Sequence, residues 1–244
     1  MRKQIDILGV LVDTINMKQA VYVSKKFLLK SKHLRMICTP NPEMIINASQ
    51  DPNLLSILNS ADMVIPDGIG LVIASKILYG YNLSRVTGYD LIQNIMKYGS
   101  YKFYFLGGQI GVAKEATKQM QLKYPNIAVT GYHHGFFQES DIKSIIKDIN
   151  NSEANVLIVG LGSPQQEFFI SKYRKEFSHI KLAIGAGGSL DVMANKVKRA
   201  PKCFRRFGLE WFYRLITDPT RAKRMLNLPL FLLKTFYVKI SNLK

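Results

Sequence analysis

Seven short apolar runs, rich in β-branched and aromatic residues, alternate with longer helical patterns along most of this chain. Uninterrupted apolar runs between helices are typical of strands that are buried on both faces, and therefore of a parallel sheet. We thus expect an α/β fold, in which a mostly parallel, Rossmann-like sheet carries helices on both faces. The predicted strands are IDILGVLV, LRMICT, ADMVIP, YKFYFLGG, NIAVTGY, NVLIVGLG and KLAIGAGG.

Several predicted strands end in glycines just before a helix begins. These glycines are Gly107 and Gly108, Gly160 and Gly162, and those of residues 185–188. Ligands of open α/β sheets bind beyond the carboxyl ends of the strands, where small residues let backbone N–H groups approach phosphate. The sequence therefore predicts a ligand site along this edge. The glycine pattern after NVLIV lacks a third glycine, so it is a weak signal for an oxidoreductase with a nicotinamide cofactor.

The alternation stops after about residue 195, and the rest of the chain is basic and aromatic. Residues 196–244 contain 13 Lys and Arg but only two acids, Glu210 and Asp218, and so hold +11 of the net charge of +17. We expect an α/β domain over residues 1–195 and a helical appendage over residues 196–244. Such a positive field attracts anionic lipid, phosphate-bearing substrates or nucleic acid, and charge alone does not separate them.

Targeting and redox signals favour the cytoplasm. The N-terminal apolar run is broken by Asp6 and Asp13 and offers no signal-peptide cleavage site. Residues 228–240 are too short to span a bilayer and contain two lysines, so we expect them to lie on a membrane rather than to cross it. The two cysteines, Cys38 and Cys203, form neither a disulfide framework nor a metal or redox motif.

Polar side chains follow the second and third predicted strands. Thr39 and Asn41 lie in the turn TPNPE, whose prolines restrict the backbone, and Asn41 either contacts a ligand or caps the next helix. Asp67 directly follows the run ADMVIP. Its carboxylate either caps the next helix or accepts a proton from a bound hydroxyl group, as a general base does. We favour the functional interpretation of both positions.

Two further polar residues belong to the same edge. Arg85, in the turn SRVTGYD, can pair with a diphosphate or form a salt bridge with Asp90 or another acid. Gln166 stands beside Glu167 in the first turn of the helix after VGLG, where either is also explained as an ordinary residue of a helix N-terminus.

In the appendage, Arg214, Arg221 and Arg224 have the spacing of one face of a continuing helical stretch. That face suits phosphate, and the interleaved aromatic and leucine side chains suit a protein groove or a lipid interface. A solvated charged face is the alternative.

Other catalytic chemistries lack their motifs. The chain contains neither an Asp-x-Asp metal clamp nor a Gly-x-Ser-x-Gly elbow, and His133 and His134 lack partners at the spacing of zinc ligands. We therefore expect no metal and no other cofactor. Phe136 and Phe137, which follow the histidines, fit the core better than a base-stacking role.

Eight strings occur in order between about residues 10 and 226: TPNPEMI, ADMVIPDGIG, RVTGYDL, FLGG, GYHHGFF, GLGSPQQE, GAGGSLDVMANKVKRAP and GLEWFYRLITDPTR. Together they closely resemble the WecG/TagA/CpsF family of bacterial glycosyltransferases. The resemblance implies an inverting transfer from a UDP-sugar to an undecaprenyl-diphosphate-linked sugar during assembly of cell-surface polymers. The branch that looks nearest adds N-acetylmannosamine to lipid-linked N-acetylglucosamine in the wall teichoic acid linkage unit, whereas relatives use N-acetylmannosaminuronic acid or glucose.

By motif, the resemblance makes Asp67 the general base and adds as active-site polar residues Thr39, Asn41, Arg85 and Gln166. Together with the strand-end glycines, it assigns substrate binding to Gly107, Gly108, Phe136, Gly162, Gly187, Asp191, Arg214, Arg221 and Arg224. It implies a cytoplasmic protein whose appendage binds the anionic inner face of the plasma membrane. No nucleic-acid partner is implied, although a basic aromatic tail also fits an RNA-binding protein. Apolar patches at the sheet edge also fit a homo-oligomer.

Overall fold

The computed structural model describes residues 2–218 and 226–241. Its strands are β1 (Gln4–Ile7), β2 (Val10–Asp13), β3 (Arg35–Cys38), β4 (Met63–Val64), β5 (Lys102–Gly107), β6 (Ala128–His133), β7 (Val156–Gly160) and β8 (Leu182–Gly185). Its helices are α1 (Met17–Lys30), α2 (Pro42–Ala48), α3 (Pro52–Ser60), α4 (Ile69–Tyr79), α5 (Gly88–Lys97), α6 (Val112–Lys123), α7 (Ile142–Asn151), α8 (Gln165–Tyr173), α9 (Ser189–Met193), α10 (Lys202–Arg206), α11 (Glu210–Thr217) and α12 (Asn227–Ser241), with a 3-10 turn at Glu139–Asp141.

Six strands form an all-parallel sheet in the order β4-β3-β8-β7-β5-β6. The chain after β5 moves to β6, whereas the chain after β7 moves to β8 on the opposite side. The sheet therefore has a switch point between β5 and β7, and a crevice at such a point is the usual place for a ligand.

Both faces of the sheet are covered by helices, as the apolar runs predict. In β5, Phe103 and Phe105 pack in one cluster with residues of α1, α5, α6 and α9. The alternate residues Tyr104 and Leu106 pack in a second cluster with residues of α2, α3, α7 and α8. All four side chains are fully buried, which confirms the prediction of strands buried on both sides.

The prediction that IDILGVLV forms a single first strand is wrong. The chain reverses at Leu8 and Gly9, whose φ angles of 54° and 91° are those of a two-residue hairpin turn. The resulting β1–β2 hairpin pairs Ile7 with Val10 and forms a two-stranded sheet of its own. The hairpin packs on the six-stranded sheet through Ile7, Val10 and Val12, and Oδ2 of Asp13 accepts a hydrogen bond of 2.7 Å from the N–H of Val64.

The last helix of the appendage packs on the α/β core. Helix α12 lies against α4 and α2. A Cβ atom on Gly70 would come within 2.4 Å of Pro42 and 2.9 Å of Leu228, so the three helices meet closely. Phe231 is 0% exposed within the main apolar cluster. In the described part of the chain, no helix is both long and apolar enough to cross a membrane.

Phe231→Ala is expected to lower the free energy of unfolding by about 3–5 kcal/mol, as for other buried phenylalanines. Phe236→Ala on the same helix is the control, because that side chain is 51% exposed and its loss should cost about 0.5 kcal/mol or less. Urea unfolding of the three proteins measures both values. Equal stabilities would show that α12 does not contribute to the core.

Candidate active site

Asp67 lies between β4 and α4, at the carboxyl edge of the sheet. Its N–H donates to the carbonyl oxygen of Pro40 (3.1 Å), and its Oδ2 accepts a hydrogen bond from the N–H of Gly88 (3.3 Å). Among the described residues, no side chain caps α4, which begins after Gly68. The alternative in which Asp67 caps α4 is therefore wrong, and the carboxylate contacts the start of α5 instead.

The environment of Asp67 favours the protonated, uncharged form of its carboxyl group. The pKa of its carboxyl group is raised to about 6, and the main cause is removal of the group from water. The charge of Glu210 acts in the same direction, whereas the N–H of Gly88 and the charges of Arg85 and Arg214 partly oppose the shift. A carboxylate with this pKa is mostly ionised at neutral pH and still basic enough to accept a proton, which is what general-base catalysis requires.

Thr39 and Asn41 are fixed by the end of β3. The Thr39 hydroxyl donates to the carbonyl oxygen of Gly185 (3.1 Å) and so joins the ends of β3 and β8. A Cβ atom on Gly88 would lie 2.9 Å from Cγ2 of Thr39, so α5 begins directly against this strand end. Asn41 caps α2, because its Oδ1 accepts from the N–H of Met44 (2.9 Å). The capping interpretation of Asn41 is confirmed, and it uses only the side-chain oxygen.

One cavity brings together residues that are far apart in the sequence. It is lined by Asn41, Asp67 and Arg85 from the α/β part and by Trp211 and Arg214 from the appendage. Thr39 and Gln166 are buried and do not line this cavity.

Arg85 forms a salt bridge, although not with the acid named first from the sequence. Its guanidinium pairs with Glu210, and its Nη1 donates to the carbonyl oxygen of Arg205 (3.1 Å). Asp90 binds Arg199 instead, through two hydrogen bonds of 2.8 and 2.7 Å. The salt-bridge interpretation is thus confirmed with a different acid, while Arg85 still lines the Asp67 cavity.

Gln166 and Glu167 are buried at the start of α8, with 2% and 0% exposure. Nε2 of Gln166 donates to Oε1 of Glu167 (2.7 Å), and its Oε1 accepts from the N–H of Gly187 (2.9 Å). Burial raises the pKa of Glu167. Gln166 therefore ties the loop after β8 to α8, and Glu167, which the sequence leaves as an ordinary helix residue, fixes the direction of the Gln166 amide.

The strand-end glycines bring backbone segments close together at the switch point, and the predicted approach to phosphate stays a prediction. Gly107 has a φ of 137°, and a Cβ atom there would lie 2.3 Å from the carbonyl oxygen of Gly160 at the switch point. The N–H of Gly108 donates to the same oxygen (3.1 Å). Gly162 and Gly187 have φ angles of 79° and 48°, and a Cβ atom there would meet no described atom within 4 Å. A ligand can therefore approach the backbone at these two glycines.

The two adjacent phenylalanines behave differently. Phe137 packs on the core, with its ring centroid 6.2 Å from that of Phe169. Phe136 is 68% exposed, so the core interpretation is wrong for it and confirmed for Phe137. The N–H of Gly135 donates to the carbonyl oxygen of Gly108 (2.8 Å), which brings this loop onto the glycine turn after β5.

A second cavity of about 410 Å³ adjoins the first. Its lining includes Asp191 from α9 and Lys196, Lys198 and Arg214 from the appendage. Arg214 lines both cavities. A bound molecule extending from one cavity to the other would therefore pass this arginine.

Two sets of predictions stay untested. Arg221 and Arg224 lie outside the described residues. Within residues 2–218 and 226–241, no three His, Cys, Asp or Glu side chains are grouped so that they could hold a metal ion. The expectation of a reaction without a metal remains a prediction.

Comparisons with known proteins agree on one family. The sequence model of the family described as Glycosyl transferase WecG/TagA/CpsF matches residues 5–244. A protein of Bacillus spizizenii is 41% identical over 79% of this chain and 75% of its own length. Proteins of Bacillus subtilis and Staphylococcus aureus are 35% and 34% identical, over 92% and 95% of this chain and 91% of their own lengths. All three are named N-acetylglucosaminyldiphosphoundecaprenol N-acetyl-beta-D-mannosaminyltransferase.

Proposed function

Because this chain belongs to the WecG/TagA/CpsF family of glycosyl transferases, we propose that it transfers N-acetylmannosamine to N-acetylglucosamine on undecaprenyl diphosphate. The names of relatives that align along most of this chain support the acceptor and the transferred sugar. The donor is UDP-N-acetylmannosamine, and the product completes the disaccharide of the wall teichoic acid linkage unit. N-acetylmannosaminuronic acid or glucose as the transferred sugar is the alternative within the family.

The observation that carries the mechanism is the meeting of Asp67, Arg85 and Arg214 in one cavity at the carboxyl edge of the sheet. A partly buried carboxylate there can take a proton, and two guanidinium groups can pair with a diphosphate. Asn41 lines the same cavity, Thr39 joins the ends of β3 and β8, and Gln166 ties the loop after β8 to α8.

The reaction is a single displacement. The acceptor hydroxyl attacks C1 of the donor sugar from the face opposite UDP, and its proton passes to a carboxylate oxygen of Asp67 as the new C–O bond forms. The bond between C1 and the diphosphate oxygen breaks, and its electron pair leaves on UDP. One displacement inverts the anomeric carbon, so one carboxylate is sufficient.

The negative charge that develops on UDP is stabilised by cations and backbone dipoles. Arg85 and Arg214 supply the cations, assisted by Arg221 and Arg224. The donor lies along the glycine turns, with Phe136 and Asp191 beside it. Its phosphates approach the backbone at Gly162 and Gly187, while Gly107 and Gly108 form the neighbouring turn against Gly160.

The proposed function is tested by offering the enzyme a short-chain lipid-diphosphate N-acetylglucosamine together with single UDP-sugars. We expect mass spectrometry to show an added N-acetylhexosamine with UDP-N-acetylmannosamine and no product with the UDP forms of N-acetylglucosamine, glucose or N-acetylmannosaminuronic acid. Transfer of a different sugar would establish the alternative donor. Tight, salt-sensitive RNA binding without any transfer would favour the RNA-binding function instead.

The appendage attaches the enzyme to the inner face of the plasma membrane, where the lipid-linked acceptor resides. Several large apolar side chains of this segment are exposed: Leu226, Leu230, Leu233, Phe236, Tyr237 and Ile240. They lie on or just before α12, while Phe231 and Thr235 face the core. An amphipathic helix with such a face binds at a lipid interface, and basic residues near an anionic leaflet add about 1 kcal/mol each.

Attachment is expected to weaken with salt, because exposed charges are screened at high ionic strength. Sedimentation with vesicles of phosphatidylglycerol and phosphatidylcholine should retain the protein at low salt and release most of it at about 1 M salt. Neutral phosphatidylcholine vesicles serve as the control. Full retention through the high-salt wash would indicate deep apolar insertion rather than electrostatic attachment.

A further inference from the structure

A chain of alternating acidic and basic side chains connects the appendage to the carboxyl edge of the sheet. Glu210 pairs with Arg85, and its other carboxylate oxygen lies 3.7 Å from Nε of Arg199. Arg199 donates to both carboxylate oxygens of Asp90 in the first turn of α5. The Glu210 side chain is only 14% exposed. It thus bridges an arginine of the Asp67 cavity and an arginine held by α5.

The turn before Glu210 is packed tightly against the residues that follow Asp67. Gly208 has a φ of 72°, and a Cβ atom there would lie 2.7 Å from the side chain of Ile69, the first residue of α4. The carbonyl oxygen of Arg205 accepts a hydrogen bond from Arg85. The start of α11 is therefore held at the site by a backbone contact and by the Glu210 carboxylate.

Arg214 lies four residues after Glu210 on α11, which places the two side chains on the same face one turn apart. Arg214 lines the Asp67 cavity, and its charge acts on the Asp67 carboxyl group. The orientation of α11, which its first turn fixes, therefore decides whether Arg214 reaches this cavity.

We propose that Glu210 is a positioning residue, which holds the first turn of α11 on Arg85 and Arg199 so that Arg214 lies in the Asp67 cavity. The inference rests on the proposed function, in which Arg214 stabilises the departing diphosphate. Glu210 also lines this cavity, but its anionic carboxylate does not pair with a diphosphate, and its role is to place Arg214. Loss of its charge leaves the partly buried guanidinium group of Arg85 without a carboxylate partner, which is costly, while Arg199 keeps its two hydrogen bonds to Asp90.

Glu210→Gln tests the anchoring directly, because the side chain keeps its size and loses only its charge. We expect hydrogen–deuterium exchange of the amides of residues 210–217 to become about tenfold faster. The loss of one contact between charged groups shifts a local opening equilibrium by about that factor or more. Asp62→Asn is the matched control. Asp62 is also 14% exposed and pairs with two arginines, Arg35 and Arg174, at the amino edge of the sheet. It should leave exchange of residues 210–217 unchanged.

A double-mutant cycle tests whether the anchor acts through Arg214. In the otherwise unchanged enzyme, Arg214→Gln is expected to lower kcat about 100-fold. Losses of this size are typical when one group that stabilises the charge of a transition state is removed. In the Glu210→Gln background, where Arg214 is already displaced, the same change should cost less than about fivefold. Glu210→Gln alone should lower kcat about 20-fold or more, with little change in the KM for the donor.

Either of two results would overturn the inference. One is unchanged exchange of residues 210–217 in Glu210→Gln. The other is an equal loss from Arg214→Gln in both backgrounds, since Glu210 would then stabilise α11 without placing Arg214. If the unaltered enzyme transfers sugar from no UDP-sugar, the proposed function fails, and the exchange comparison, which needs no substrate, still decides whether Glu210 anchors α11.

Discussion

Asp67→Asn is expected to lower kcat at least about 100-fold, because general-base catalysis typically contributes that much. The amide keeps the shape of the carboxylate and its oxygen can still accept from the N–H of Gly88, so the fold and substrate binding should persist. Initial rates at saturating UDP-N-acetylmannosamine and acceptor measure the effect. Asp62→Asn should keep the normal kcat, since Asp62 lies at the opposite edge of the sheet. Near-normal turnover in Asp67→Asn would remove this residue from the chemistry.

The same substitution should stabilise the folded protein at neutral pH. The pKa of Asp67 is about 6 in the folded protein, against a usual value of 3.8, so the folded state binds the proton more tightly than the unfolded chain. Stability of the unaltered protein therefore falls as pH rises from about 4 to about 6, by up to about 3 kcal/mol. The Asn variant lacks this loss. Its Tm should exceed that of the unaltered protein at about pH 7.5 and match it near pH 4.

The pKa of Asp67 also predicts the pH dependence of the unaltered enzyme. The protonated acid cannot accept the acceptor's proton, so kcat/KM should fall about tenfold per unit below about pH 6. An acid limb near the usual value of 3.8 would show that the environment of Asp67 does not raise its pKa in solution.

Arg85→Gln has the second large expected effect. Arg85 lines the Asp67 cavity, and loss of a cation that stabilises the departing diphosphate should lower kcat about 100-fold or more. Affinity for UDP, measured by calorimetry, should fall as well, because UDP already carries the charge that Arg85 contacts. Arg85→Lys should recover only part of the loss, since a point charge cannot replace the planar, bidentate guanidinium group.

Arg174→Gln is the matched control for Arg85→Gln. Arg174 also contacts one backbone carbonyl oxygen and one carboxylate, those of Leu34 and Asp62, but at the amino edge of the sheet. The Arg174→Gln variant should be somewhat less stable than the unaltered enzyme and should keep its normal turnover. If both variants lose turnover equally, the effect of Arg85 is structural and its role in stabilising the diphosphate is contradicted.

The positions of Thr39, Asn41 and Asp67 were predictable because a parallel sheet brings the ends of its strands to one edge. Six of the seven predicted strands lie in that sheet. The exception, IDILGVLV, contains its turn within the apolar run, at Leu8 and Gly9. Leucine is not a usual residue for positive φ, so the pattern favoured one continuous strand.

The contacts of the appendage were less predictable, because they join residues far apart in the sequence. Arg85 and Glu210 are 125 positions apart, and periodicity does not pair such residues. One signal was present: Glu210 is one of only two acids in the basic segment of residues 196–244. An isolated acid among many cations suggests a specific partner. Glu167 gave a weaker signal, since a glutamate in the first turn of a helix is common on its own account.

The most direct test of Asp67 as the general base is its distance from the acceptor in a crystal of the enzyme with an unreactive UDP-N-acetylmannosamine analogue and a short-chain lipid-diphosphate N-acetylglucosamine. We expect the attacking hydroxyl oxygen to lie about 2.6–3.2 Å from a carboxylate oxygen of Asp67, on the face of the donor sugar opposite UDP. A hydroxyl more than about 5 Å from Asp67, with another side chain within hydrogen-bonding distance in its place, would contradict the mechanism.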